Sequence, residues 1–153
     1  MKQRIYIDTS VIGGYFDEEF EADTIKMFDR IRNKDFDVYF SEISSGELIL
    51  APQKVKELFN EIPIDCLFEL EFTEEIMDLA NNYIEENILT EKSLNDAYHI
   101  AHATVNRIDI LVSWNFRHIV NLNKIRLFNA VNLKLGYPVI DIRSPKELLI
   151  YER

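Results

Sequence analysis

The chain has 153 residues, of which 47% are hydrophobic and 29% charged, with one cysteine and a net charge of −10. This is a soluble globular composition, and the length fits one domain, residues 1–153, with material for a sizeable core. No apolar run approaches the ~20 residues of a membrane span, and the opening "MKQRIYIDTS" reaches Asp8 too soon for a signal peptide.

Cys66 alone cannot form an internal disulfide, so a reducing, cytoplasmic setting is expected. The charge argues at face value against a nucleic-acid partner, but it is unevenly spread. Residues 1–90 hold 21 acids and 8 bases, a net −13, whereas residues 91–153 hold 6 acids and 9 bases, a net +3. The last third is mildly basic.

Ile5, Tyr6 and Ile7 predict a buried strand that runs into Asp8, Thr9 and Ser10. Gly13 and Gly14 are expected to break the segment after Ser10. From residue 22 to 33, Ile25, Phe28 and Ile31 recur at helical spacing. Residues 37–41 predict a second strand and 41–50 a short helix that stops near Pro52. A helix then starts on Pro52, with Val55, Leu58, Phe59 and Ile62 inside. Residues 65–70 predict a third, shorter strand.

Thr73 is a plausible cap for a helix whose inner face holds Ile76, Leu79, Ala80, Tyr83 and Ile84. The next helix covers residues 93–107, with Leu94, Ala97, Ile100, Ala101 and Thr104 inward. "DILVSW" (109–114) is the clearest strand, a continuous apolar run typical of a sheet covered on both faces. Residues 122–135 predict a helix ending at Gly136, residues 138–141 a last strand, and "SPKELL" a final helical turn capped by Ser144. Strands alternating with helices predict an α/β fold of three α/β/α layers around a mostly parallel sheet.

Ligands of such sheets bind beyond the carboxyl ends of the strands. Asp8 ends the first strand and Asn115 follows the fourth. Glu47 lies in the short helix after the second strand, where Glu42 fits the spacing equally well. Asp96 lies in the first turn of the helix leading into strand 109–114, where it also suits the helix dipole beside Lys92. Clustered acids raise one another's pKa unless a cation sits between them, and oxygen donors suit Mg²⁺ or Mn²⁺. Such an ion activates water and stabilises charge on a phosphoryl group. Asp8 is the hardest of these to explain otherwise, because burying an unpaired carboxylate is costly.

Together, "IYIDTSVI", "SEISSGEL", "NDAYHIAHA" and "ILVSWNFRHI" resemble the PIN domain, the ribonuclease fold of VapC-type toxins in toxin–antitoxin pairs. The resemblance spans residue 5 to about 119. It implies that Asp8, Glu47 and Asp96 are the family's three acids and metal ligands, with Thr9 and Ser10 at the hydroxyl positions after the first acid. Where the family often has a fourth acid, this sequence has Asn115, whose carbonyl oxygen brings no charge and weakens a second metal position. The implied chemistry is hydrolysis of an RNA phosphodiester by water activated on Mg²⁺ or Mn²⁺. The implied partners are a second copy of the chain and an antitoxin.

Arg117, Lys124 and Arg126, with Arg107 as a further candidate, are the basic residues expected to contact RNA phosphates. The alternative suggested by Asn115 is a catalytically silent PIN-like module that binds RNA or protein. A phosphotransfer domain with Asp8 as nucleophile is weaker, since "DTS" lacks a second acid two residues on. His99 and His102 are read as helix-packing or interface residues, because one distant cysteine does not complete a zinc site. His118 is notable for its place in the loop beside the proposed site.

Overall fold

The computed structural model describes residues 2–151, with only the backbone of Tyr151. Among these residues, strands β1 (Gln3–Ile7), β2 (Phe36–Ser41), β3 (Leu67–Leu70), β4 (Ile110–Val112) and β5 (Asp141–Arg143) form one sheet in the order β3-β2-β1-β4-β5. Every neighbouring pair is parallel. Helices α1 (Thr9–Gly14), α2 (Glu21–Arg32), α3 (Glu42–Ile49), α4 (Gln53–Phe59), α5 (Glu74–Glu85), α6 (Leu94–Val105), α7 (Leu122–Lys134) and α8 (Pro145–Tyr151) make the connections. The result is the three-layer α/β/α architecture.

Alternation along the strands divides the interior in two. Ile5, Ile7, Val38, Ile110 and Val112 pack with Val11, Met27, Phe28, Leu58 and Leu148 on one face. Tyr6 and Leu111 pack with Leu79, Tyr83, Ala97, Ile100 and Phe128 on the other. The strand order also fixes where a ligand can enter. The chain progresses outward from β1 through β2 to β3, then returns to lay β4 on the other side of β1. The crevice between β1 and β4 is therefore the topological switch point, and Asp8 stands there, its N–H donating to the Val112 carbonyl at 3.4 Å.

Three details differ from the sequence expectation. Gly13 and Gly14 lie inside α1 and do not break it. Gly14 is required there by proximity: a Cβ at this position would stand 2.6 Å from the Trp114 ring. The last strand forms at residues 141–143, three residues later than expected. The cause is Asn129, whose side chain accepts from the Ile140 N–H (2.8 Å) and donates to the Ile140 carbonyl (3.2 Å), so Ile140 has no groups left for the ladder. Pro52 precedes α4 as its cap and is not its first residue. Among the described residues, no helix is long and apolar enough to cross a membrane.

Candidate active site at the carboxyl edge of the sheet

Asp8 caps α1, its Oδ1 accepting from the Val11 N–H at 3.3 Å, and is 4% exposed. Ser10 Oγ donates to Oδ1 at 2.5 Å and Ser113 Oγ to Oδ2 at 2.6 Å. Ser10 also accepts from the Trp114 N–H, and Ser113 from the Asn115 N–H, each at 2.9 Å. The first carboxylate is thus held by hydroxyls from both sides of the switch crevice. Burial pushes the Asp8 carboxyl above its usual range and Asp96 adds to that push, while the nearby His99 charge and the two hydroxyls pull against it.

Glu47 is half-buried on α3. Thr9 Oγ1 donates to its Oε1 at 3.0 Å, and His99 Nε2 donates to the same oxygen at 2.8 Å. Of the two acids that fit the spacing, Glu47 is therefore the one joined to the "DTS" stretch; Glu42 is exposed. Desolvation would raise the Glu47 pKa, but the bond and charge of His99, with Thr9, outweigh it and hold the carboxyl below its usual range.

His99 is the residue that sequence reasoning missed. It is buried on α6, and its Nδ1 lies 2.6 Å from the Tyr6 hydroxyl, which reaches Ser41 Oγ at 2.8 Å. Burial works against a charged ring. The Tyr6 oxygen and the Glu47 and Asp8 carboxylates overcome it and raise His99 to about 10. At neutral pH the ring is an imidazolium with both N–H groups engaged. The absent counter-charge of Asp8 is thus partly supplied by a side chain 91 positions along the chain. The one clue in the sequence is the Asp96–His99 spacing of three on one helix.

Asp96, in the first turn of α6, pairs with His118 Nδ1 at 2.9 Å. Ser93, just before that helix, reaches the same nitrogen at 3.3 Å. Asn115 Oδ1 accepts from the His118 N–H at 2.9 Å. Asn115 therefore folds the loop that brings His118 to Asp96, and its carbonyl oxygen is occupied in doing so.

The basic residues separate. Arg117 and Lys124 line a cavity beside His118. Arg126 is exposed on α7, which turns about 200° between positions 124 and 126. Arg107 follows the far end of α6, at the amino edge of the sheet, where its carbonyl accepts from Arg4 Nη1 at 3.1 Å. The length of α6 lies between Arg107 and Asp96, so Arg107 leaves the candidate set. Trp114 is buried, donating from Nε1 to Thr24 at 2.9 Å and stacking on Phe20.

Among the described residues, no three His, Cys, Asp or Glu side chains are gathered as a ready-made metal group. The donor types nevertheless fit a hard divalent cation. Asp8 and Asp96 are close enough to repel, and Glu47 is tied in through His99, whose charge also acts on Asp8.

A family model described as the PIN domain matches residues 5–119. The chain belongs to the PIN domain family. Solved structures share its fold at low identity. VapBC2 from Rickettsia felis, bound to a DNA fragment from its promoter, is 14% identical, with a TM-score of 0.57 over 93% of this chain and 98% of that one. FitAcB from Neisseria gonorrhoeae is 19% identical, with a TM-score of 0.57 over 94% and 99%. VapC20 from Mycobacterium tuberculosis, a toxin that cleaves the sarcin–ricin loop, is 14% identical, with a TM-score of 0.56 over 90% and 98%. No curated protein matches the chain significantly.

Proposed function

We propose that this chain, as one domain over residues 1–153, is a metal-dependent ribonuclease and the toxin of a cytoplasmic toxin–antitoxin pair. The observation that supports the reading is that Asp8, at the switch crevice of a parallel sheet, lies close enough to Asp96 for their charges to interact and feels the charge of His99, which bonds to Glu47. Asp8 and Asp96, with Glu47, would hold Mg²⁺ or Mn²⁺. When bound, the ion supplies an activated water and charge stabilisation at the phosphoryl group.

The remaining work belongs to the chain. Ser10 and Ser113 fix the two oxygens of Asp8. Thr9 and His99 fix Glu47. His118 holds Asp96 in place, and Ser93 reaches the same imidazole nitrogen. Arg117, Lys124 and Arg126 contact the RNA backbone. The likeness to solved toxin–antitoxin complexes, with the family membership, supports an antitoxin and a second copy of the chain as partners.

The test is Mn²⁺ titration by calorimetry on the wild type and on Asp96→Asn, with RNA cleavage followed in the same samples. Binding and cleavage that both vanish in the variant support the reading. A wild type without metal-dependent cleavage refutes it in favour of a silent binding module. Two observations favour that second reading: the carboxylates are engaged by hydroxyls and imidazoles, and Asn115 stands in a loop-folding role in place of a fourth acid.

A further inference from the structure

Beside the carboxylates lies a cavity of about 300 Å³. Its walls come from the turn after α5 (Ile88, Leu89, Thr90), from Ser93, and from Arg117, His118 and Lys124. In a chain of net charge −10, this cavity is lined by two permanent cations and no carboxylate. Glu86 and Glu91 flank the turn, but both are exposed and neither lines the cavity.

The cations are placed differently. Lys124 Nζ donates to the Ile88 carbonyl at 2.8 Å, which anchors the ammonium to the wall and leaves further N–H donors. Arg117 is exposed and lines the same cavity. The hydroxyls of Thr90 and Ser93 add short-range donors. His118 forms the partition: its ring lines the cavity, while its Nδ1 is bonded to Asp96. A group in the cavity is thus separated from the carboxylate site by one imidazole.

We propose that this cavity is a phosphate subsite, taking one backbone phosphate of a nucleic-acid strand next to the linkage presented to Asp8 and Asp96. Placing it next to a cut linkage rests on the nuclease reading; the phosphate chemistry rests on the cavity itself. A strand carries a phosphate at every nucleotide, so a linkage held at the carboxylates brings a neighbouring phosphate close by. Guanidinium, ammonium and hydroxyl donors around one concavity suit that group.

The experiment uses the full chain and a labelled single-stranded 2′-O-methyl RNA oligonucleotide in EDTA, so that binding is read apart from cleavage. Arg117→Gln and Lys124→Gln are each expected to weaken binding about fivefold to tenfold and to reduce the salt slope by about 0.7, one phosphate contact. Lys134→Gln, at the other end of α7, is expected to change neither. Lys124→Arg keeps the charge and the reach to Ile88, so it is expected to bind as the wild type does; it is the second reading if Lys124→Gln melts early.

Wild-type affinity and slope in both glutamine variants would overturn the subsite. So would losses no larger than that of Lys134→Gln, or a wild type that does not bind the oligonucleotide. Cleavage by the same proteins with Mn²⁺ separates the two claims. Cleavage with unaltered binding in the variants sinks the subsite and leaves the nuclease. Selective loss of binding without wild-type cleavage sinks the nuclease and leaves a strand-binding site.

Discussion

His99 and His102 sit three residues apart on α6, both buried and both against the Tyr6 ring. At the carboxyl edge, His99 donates to Glu47 and to Tyr6. One turn deeper, neither nitrogen of His102 has a hydrogen-bond partner among the described residues. Burial, and then the charge on His99, lower His102 to about 4, so it is neutral where His99 is charged. One helix face thus carries two identical side chains in opposite states. The difference between them comes from carboxylates at the edge and aromatic rings in the layer beneath.

The largest effect should come from removing the charged member. His99→Leu takes the imidazolium partner from Glu47 and from Tyr6 together, leaving them Thr9 and Ser41, and should cost about 3 kcal/mol in urea unfolding without added divalent metal. A loss below about 1 kcal/mol would mean that the ring is an ordinary neutral core histidine.

A pH series separates the two rings by sign. His102 has a folded pKa below its unfolded value of 6.5, so the unfolded state binds more protons between about 4 and 6.5. Its contribution makes stability rise with pH across that window, by up to about 3 kcal/mol. His99 has a folded pKa raised to about 10, so its stabilisation is complete below 6.5 and is lost as pH climbs towards 10. A maximum near neutrality is expected. His102→Leu should flatten the acid limb only, whereas His99→Leu should abolish the alkaline limb and also weaken the acid limb, because the His99 charge helps lower His102 and Glu47.

At neutral pH the deeper ring should be dispensable. His102→Leu replaces two unpaired buried nitrogens by apolar surface of similar volume, and should stabilise by about 1 kcal/mol in the same unfolding assay. A loss instead would reveal a partner for His102 in solution. The smallest effect lies far from both rings. Gly136, at φ +88°, ends α7, and Gly136→Ala should cost about 1 kcal/mol by thermal melting.

Most of the framework is legible in the chain. The apolar runs at 5–7 and 109–114 mark the paired strands on either side of the switch crevice, and Asp8 is legible because a carboxylate stands where such a run ends. The Ser144 cap is legible too, since Ser144 and Glu147 exchange bonds locally. The features that stay hidden share one cause. Asn129 taking the backbone of Ile140, Trp114 requiring Gly14, His99 reaching Glu47 and His118 reaching Asp96 are contacts between elements, and periodicity along one element carries no trace of them. Asn115 looks like a lost acid when its sequence position alone is matched; its side chain instead folds the loop that holds His118.

The bond from Ser113 to Asp8 spans 105 residues. During synthesis β1 emerges first and can pair with β2 early, but its other edge must wait for β4, and long loops of this kind close late. Asp8 therefore waits for the hydroxyl that completes its cradle, and for His99, until those later residues have been made. Asp8 becomes part of a structured site only when the segment carrying α6 and β4 arrives. A nascent or truncated chain lacking that segment holds Asp8 and Glu47 but neither their shared histidine nor Asp96, so the arrangement of the sheet itself delays the site until β4 has been made.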